Sequence, residues 1–419
     1  MNDKRSEKLP VMVPRTALLR QLEKHDATDE IKVLIGVRRC GKSTLLCQYR
    51  QKLTDAGMPQ SNIFFKRFDD FTTPLDYSAK DLYRDLEQSF AKADETQPFY
   101  VFLDEIQDVP GWERIVRRLH TRSRTRVFIT GSNAQLLSGD LATYLAGRYL
   151  QIPVYPLSFA EYLDYRGLLG ENATANTDYL SDYMRFGGMP GLLKYGLPDE
   201  TQAREALDDI YQSIVVKDVA EHNSIRDIPA LNKISRYLFS TSGNLFSTRK
   251  VANTLRSAGT DVAPKTVESD IAALEHAFII HRAKQEGIAG KRILRPTNKY
   301  YPVDNGFRNL ANGFAGKDIG AQLEGVVYME LRRRGYAVTV GTGANSEVDF
   351  VARRGPKKQY IQVTLSMLEE GTREREIGAL QSLTDAFPRT VITLDPLSAG
   401  VTDDGIRIVH APKWLTEQN

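Results

Sequence analysis

The sequence predicts an α/β protein built on a parallel sheet, and three observations carry that prediction. An apolar run, Ile31-Lys32-Val33-Leu34-Ile35, leads directly into a glycine-bounded loop, Gly36-Val37-Arg38-Arg39-Cys40-Gly41-Lys42-Ser43, and a helical stretch from Thr44 to Tyr49 follows. A second apolar run, Phe99 to Leu103, ends in Asp104-Glu105. Around these, stretches of helical period alternate with short β-prone runs, the pattern of strands joined by crossover helices.

At 419 residues the chain exceeds one hydrophobic core, so roughly two to four domains are expected. Apolar residues at 41% and charged residues at 26% exclude a disordered or collagenous chain. No apolar run reaches the roughly 18 residues of a membrane span. The charged start is broken by Pro10, Pro14 and Arg15, which leaves no apolar signal core and predicts a cytoplasmic protein. Cys40 and Cys47 are the only cysteines, one in the loop and one on the following helix, which excludes a disulfide or cysteine–zinc framework. The six histidines show no ligand spacing.

The loop has the spacing G-x-x-x-x-G-K-S, that of a phosphate-binding P-loop. Glycines at 36 and 41 let the backbone turn its N–H groups inward, and the new helix adds its positive end. The expected ATP-holding set is Gly36, Arg38, Arg39, Cys40, Gly41, Lys42, Ser43 and Thr44. Lys42 would reach the β- and γ-phosphates and Ser43 would ligate Mg²⁺. A short helix around Leu18, Leu19 and Leu22 precedes the first strand. Asn62 to Lys66 is a strand candidate, and Ala79 to Ala93 a helix with Leu82, Leu86 and Phe90 inward.

The Phe99 run lacks alternation, as a strand buried on both faces does. Its position about 60 residues beyond the loop makes Asp104 a candidate for the Mg²⁺ shell and Glu105 the residue that orients or deprotonates the attacking water. Arg126 to Thr130 is the next strand, and Ser132 or Asn133 at its tip could sense the γ-phosphate; a plain turn is the alternative. A helix from Ala134 to about Leu145 then leads to Arg148 and a fifth strand, Tyr149 to Val154.

These motifs, in this order, resemble the AAA+ ATPases. Pro156-Leu157-Ser158-Phe159 with Glu161-Tyr162, and Gly187-Gly188-Met189-Pro190-Gly191, resemble more particularly a prokaryotic family with a winged helix and a restriction-endonuclease-like C-terminal domain. The resemblance covers nearly the whole chain. It implies a five-stranded parallel core in which the Asp104 strand is not adjacent in sequence order to the P-loop strand. It also implies that Arg148 is an arginine finger for a neighbouring subunit; an ion pair with the subunit's own acids is the alternative. Gly188-Met189-Pro190 resembles the element near the adenine, with a turn between two lid helices as an equal reading. Arg204 to Val219 reads as a lid helix.

From Pro229 to Tyr300 the pattern is three helices and two β-prone stretches, a winged helix-turn-helix. This segment holds twelve Lys or Arg and five Asp or Glu, so +7, against +3 for the whole chain and hence −4 for the rest. Lys265, Arg282, Lys284, Lys291, Arg292 and Arg295 are its candidate phosphate contacts.

The last part resembles the restriction-endonuclease-like core: Glu324 on a helix, Asp349 on one strand, Gln362 and Thr364 on the next. Gln362 replaces an acid and Thr364 a lysine, so the site is expected to be degenerate, with a docking or assembly role favoured over cleavage. The fold expected overall is an α/β P-loop AAA+ core (1–165), a helical lid (166–226), a winged helix (227–305) and an α/β restriction-endonuclease-like domain (306–419). The expected function is Mg²⁺-dependent ATP hydrolysis by a homo-oligomer, of which a hexameric ring is one form. It would be coupled to binding and remodelling or translocating DNA, with helicase or branch-migration activity on branched DNA as the most specific form. No membrane partner is expected. The alternatives are a nucleotide-controlled switch or scaffold for a protein partner, and a weak metal-dependent nuclease.

Overall fold

The computed structural model describes residues 12–134, 147–193, 196–288, 297–342 and 347–417. The expected helix after Ala134 and the basic residues Lys291, Arg292 and Arg295 lie outside them. The chain divides into two compact units: Pro14–Tyr155 with His276–Phe278, and Pro156–Glu275 with the residues from Ile279 onward.

The first unit is a five-stranded parallel sheet. Its strands are β1 (Ile31–Ile35), β2 (Ile63–Arg67), β3 (Phe99–Asp104), β4 (Thr125–Gly131) and β5 (Tyr149–Pro153), in the order β2-β3-β4-β1-β5. The Asp104 strand is thus separated from the P-loop strand by β4 in the sheet, and by β2 in sequence order, the latter as the resemblance implies. Alternation explains why β3 reads as continuously apolar. Val101 and Leu103 pack with Leu82, Leu86, Trp112 and Val116, supplied by α3 (Ala79–Phe90) and α4 (Trp112–His120). Tyr100 and Phe102 face the other way, where Phe102 stacks on Phe128 and meets the Tyr49 ring of α2 (Lys42–Asp55). Both faces are covered, so neither carries polar residues. A helix, α1 (Thr16–Lys24), precedes β1.

The second unit opens with α5 (Phe159–Leu168), α6 (Thr177–Phe186), the single turn α7 (Pro190–Leu193) and α8 (Glu200–Ser213). Ser158 caps α5 in a reciprocal box with Glu161, which explains the Ser158-x-x-Glu161 spacing. The expected lid helix does not run unbroken to Val219: α8 passes into a π-helical stretch over Ile214–Glu221. Three helices follow, α9 (Ile228–Ser240), α10 (Thr248–Ser257) and α11 (Pro264–His276), then the antiparallel strands β6 (Ile280–Gly287) and β7 (Asn298–Pro302).

These two strands are not a free wing. β6 also pairs in parallel with β8 (Ala337–Thr342), Lys284 opposite Thr339. One eight-stranded sheet, in the order β12-β13-β11-β10-β9-β8-β6-β7, therefore runs across residue 305, where a domain boundary is expected from sequence. The further strands are β9 (Glu347–Arg354), β10 (Lys357–Thr364), β11 (Arg389–Thr393), β12 (Gly400–Val401) and β13 (Arg407–His410). The helices among them are α12 (Asn305–Ala311), α13 (Ile319–Arg333), α14 (Glu370–Gln381) and α15 (Ala411–Thr416). Among the described residues no helix is long and apolar enough to cross a membrane.

The family-like motifs of this unit meet at one buried polar hub. Asp304 accepts hydrogen bonds from the Gly188 and Gly306 amides at 2.7 and 2.8 Å. Arg333 donates to the carbonyls of Pro156 and Leu157 and to the Tyr183 hydroxyl, each at 3.4 Å. A Cβ at Gly187, whose φ is +80°, would lie 1.7 Å from Asp304 Oδ1, and one at Gly188 would lie 2.4 Å from Leu157 O. Burial pushes the Asp304 carboxyl up to about 6 from 3.8, against the pull of its two amide donors.

Gly187→Ala should cost about 2–4 kcal/mol, from left-handed strain plus displacement of a bonded carboxylate, read as a lower unfolding midpoint of this unit. Asp304 binds its proton more tightly folded than unfolded. It therefore contributes stability below about pH 4 that is lost as pH rises through about 6. Asp304→Asn should make stability climb more steeply with pH over that window, measured by urea midpoints at several pH values.

Candidate nucleotide site

The loop after β1 is built around close approaches. A Cβ on Gly36 would fall 2.0 Å from Val154 O, so only glycine fits. The Cys40 thiol donates to that same carbonyl at 3.1 Å, and burial pushes its pKa up, which keeps it neutral. Arg39 and Gly41 both take the left-handed conformation, at φ 65° and 102°. Gly41 is the N-cap of α2 and offers no side chain to the first-turn amides. Those amides are left to an external acceptor, the usual arrangement for an anion at a helix start. Arg15 braces the loop from outside, with Nη1 on Cys40 O at 3.2 Å and Nη2 on Tyr155 O at 2.9 Å. Sequence reasoning missed Arg15; nothing local marks it. Arg38 is half-buried, Arg39 exposed, and Thr44 half-buried on the first turn of α2.

Lys42 is buried and its Nζ donates to Gly36 O and Val37 O at 3.0 and 3.3 Å, with Glu105 Oε1 at 3.8 Å. Asp104, at the end of β3, is fully buried. Its Oδ1 accepts from the Thr130 hydroxyl at 2.7 Å. Its Oδ2 accepts no hydrogen bond among the described residues, and Arg67 Nε stands 3.8 Å away. Burial raises the Asp104 pKa, opposed by hydroxyl bonds from Thr130 and Ser43. A buried carboxylate oxygen without a donor, beside the Ser43 hydroxyl, suits a divalent cation, which takes oxygen ligands and supplies the missing charge.

Glu105 adopts a left-handed backbone, φ 54°, unusual for a glutamate. Thr130 holds it there: the hydroxyl that donates to Asp104 also accepts from the Glu105 amide at 2.8 Å. One threonine on β4 thus fixes both acids. Ser132 and Asn133 are buried at the tip of β4, between the Asp104 and P-loop strands.

Arg148 is elsewhere. Its carbonyl accepts from the amide of Ile31, the first residue of β1, and its side chain is exposed. It therefore sits at the start of the strands, whereas the loop and acids sit at their ends. A five-residue strand separates these edges by about 16 Å.

Pro190 lies in the second unit, where it opens α7. This segment forms a turn held from both sides: Gly188 N bonds Asp304, and Leu157 N bonds Gly188 O at 2.8 Å.

The structure does bring Glu324, Asp349 and Gln362 together. Gln362 Oε1 accepts from the Asp349 amide at 3.1 Å, and the nearby Glu324 charge adds to the burial that raises the Asp349 pKa. A cation from β7 joins them, which sequence reasoning did not anticipate. Lys299 Nζ lies 3.2 Å from Glu324 Oε1 and 2.6 Å from Glu347 Oε1, and Tyr301 OH donates to Glu324 Oε1 at 2.6 Å. Thr364 turns its hydroxyl to Ser366 O. Among the described residues no group of His, Cys, Asp or Glu has the arrangement to hold a metal ion. The acids are instead compensated internally.

A parallel sheet in this order, with a P-loop and paired acids at its carboxyl edge, defines the ATPase domain of the AAA class. Residues 28–163 match the family described as AAA domain, and residues 177–318 match a domain of unknown function. The second match runs across the expected lid and winged-helix boundaries. An uncharacterized protein of Haemophilus influenzae is 36% identical over 97% of this chain and 99% of its own length. An uncharacterized protein of Methanocaldococcus jannaschii is 31% identical over 84% of this chain and 78% of its own. The chain belongs to the family of AAA-domain proteins that these relatives represent. A Walker-type ATPase of Pyrococcus abyssi superposes with a TM-score of 0.48 and 14% identity, over 72% of this chain and 96% of its own.

Thr130→Val keeps volume but strands the Asp104 oxygen and the Glu105 amide. It should cost about 1–3 kcal/mol of stability in urea unfolding and at least about tenfold in nucleotide turnover. Lys299→Met should destabilise the second unit by about 1–3 kcal/mol, because it leaves two partly exposed acids without their cation. A lowered urea midpoint with P-loop nucleotide affinity unchanged would show this.

Proposed function

We propose that this protein is a Mg²⁺-dependent ATPase that works as a homo-oligomer and couples hydrolysis to binding and remodelling DNA. The observation that carries the reading is the convergence of the Lys42 ammonium, the donor-free Asp104 Oδ2 and the Glu105 carboxylate on one loop. Loop amides and Lys42 bind the phosphates. Ser43 and Asp104 are the residues that would hold the cation, which neutralises phosphate charge when bound. Glu105 accepts a proton from the attacking water. Ser132 and Asn133 supply polar contacts from the tip of β4.

Arg148 supports the oligomer. Standing at the far edge of its own sheet, it reaches a nucleotide only in a neighbouring subunit. Support for DNA comes from the exposed side chains of Arg249, Lys250, Lys265 and Lys284. A groove of about 700 Å³ at the start of α10 offers Ser247, Arg249 and Asn298 to a phosphate backbone, while its one acid, Glu268, accepts from the Thr248 hydroxyl. Arg282 is not among these contacts, because it is paired with Glu275. The nuclease alternative has less support, because Gln362 stands where a second metal-binding acid would and spends its oxygen on the Asp349 amide.

Lys42→Ala should abolish ATP uptake in calorimetry, whereas Glu105→Gln should keep uptake and lose turnover. Inactive Arg148→Ala subunits mixed with inactive Lys42→Ala subunits should regain activity if the finger acts in trans. Charge reversal at Arg249 and Lys250 should weaken duplex binding and lower the log–log salt slope by about 0.9 per lost contact. Basal hydrolysis without DNA should not change. If duplex, single-stranded and four-way DNA leave the rate unchanged and binding is insensitive to salt, the protein is a nucleotide-controlled switch.

A further inference from the structure

Gln107 follows Glu105 by two residues, in the tight turn Ile106–Asp108. Its Nε2 donates to Glu105 Oε2 at 2.5 Å. Its Oε1 is buried and has no donor among the described residues. The amide cannot be reversed, since that would set its oxygen against the carboxylate. So two buried acceptors at this site have no donor, Asp104 Oδ2 and Gln107 Oε1. The cation accounts for the first. The second has no role in the reading above, and a buried carbonyl left without a donor is costly enough to need one.

The covalent structure of the amide limits where a donor to Oε1 can stand. Oε1 shares its carbon with the nitrogen that touches Glu105, so both acceptors lie within reach of a single water. A water has two hydrogens to give, and a held water needs at least two polar partners.

We propose that Gln107 is a second water-holding catalytic residue, its Oε1 and the Glu105 carboxylate taking the two hydrogens of the attacking water. The proposal rests on the ATP-hydrolysis reading. In the step, the water oxygen forms a bond to the γ-phosphorus. The bond from that phosphorus to the bridging oxygen breaks, its electron pair stays on ADP, and one water proton passes to Glu105. Gln107 keeps its protons throughout. It fixes the direction of the oxygen lone pair, and it holds Glu105 in the rotamer that faces the same water.

The test uses full-length protein with Gln107→Met, which preserves length and removes both polar atoms. The expected result is a fall in kcat on the order of 10²-fold with ATP affinity by calorimetry within about twofold of the native value. Binding of ADP with aluminium fluoride, a mimic of the transferring phosphoryl group, should lose most of its advantage over ADP alone. Adding Gln107→Met to Glu105→Gln should cost little beyond Glu105→Gln, because both act on one water. Native kcat in the variant, equal loss of ATP and mimic affinity, or full additivity with Glu105→Gln would each overturn the proposal. Should Gln107→Met not fold, Gln107→Asn, an amide one methylene short, is read by the same criteria. If the native protein itself binds ATP without hydrolysing it, the ATPase reading fails first, and that result is separate from any effect of Gln107.

Discussion

The Thr130 hydroxyl is the interaction on which the site depends. It gives its hydrogen to Asp104 and receives one from the amide of Glu105. A hydroxyl can do both at once; no aliphatic side chain of that size can do either. With it, two adjacent acids are tied to one side chain on β4, Asp104 through its carboxylate and Glu105 through its backbone. The left-handed backbone at Glu105 follows from this bond and is sustained by it. Strand order supplies the rest: β4 lies between the acid strand and the loop strand, so its threonine and its tip residues fall where both can be reached.

The second unit is organised by a different constraint. Its polar hub ties the Pro156-Leu157 stretch, the double glycine at 187–188 and the Val303-Asp304-Asn305-Gly306 stretch around one carboxylate and one guanidinium. Three segments far apart in sequence are thereby held by backbone groups rather than by apolar packing alone. The glycines are needed because oxygen atoms stand where side chains would begin. The double glycine of the motif that resembles an adenine-contacting element thus has a packing role of its own.

The P-loop, the paired acids and the alternation of helix and strand were legible in the sequence because each is local. Glycine spacing, an apolar run ended by charge, and a cap such as Ser158 declare themselves within a few residues. Arg15, Thr130, Gln107 and Lys299 were not legible. Each acts through a contact set by tertiary folding, and each is an ordinary residue in its own neighbourhood. The continuity of the large sheet was hidden for a related reason. A hairpin of β6 and β7 satisfies local pattern rules, and only the parallel partner β8, beyond two intervening helices, shows that the outer edge of β6 is occupied. Lys299 illustrates the cost of reading residue types without partners. It adds to the basic count of a supposed wing, yet it sits among acids.

That shared sheet has a bearing on how the molecule can be taken apart. A fragment ending at residue 305 would expose the edge of β6 along Lys284 to Gly287, a row of amides and carbonyls with nothing to bind except another chain. A fragment starting there would bare β8 in the same way. The two halves cannot be exchanged between relatives as cassettes, and aggregation of either alone would reflect a severed ladder rather than a poorly chosen buffer.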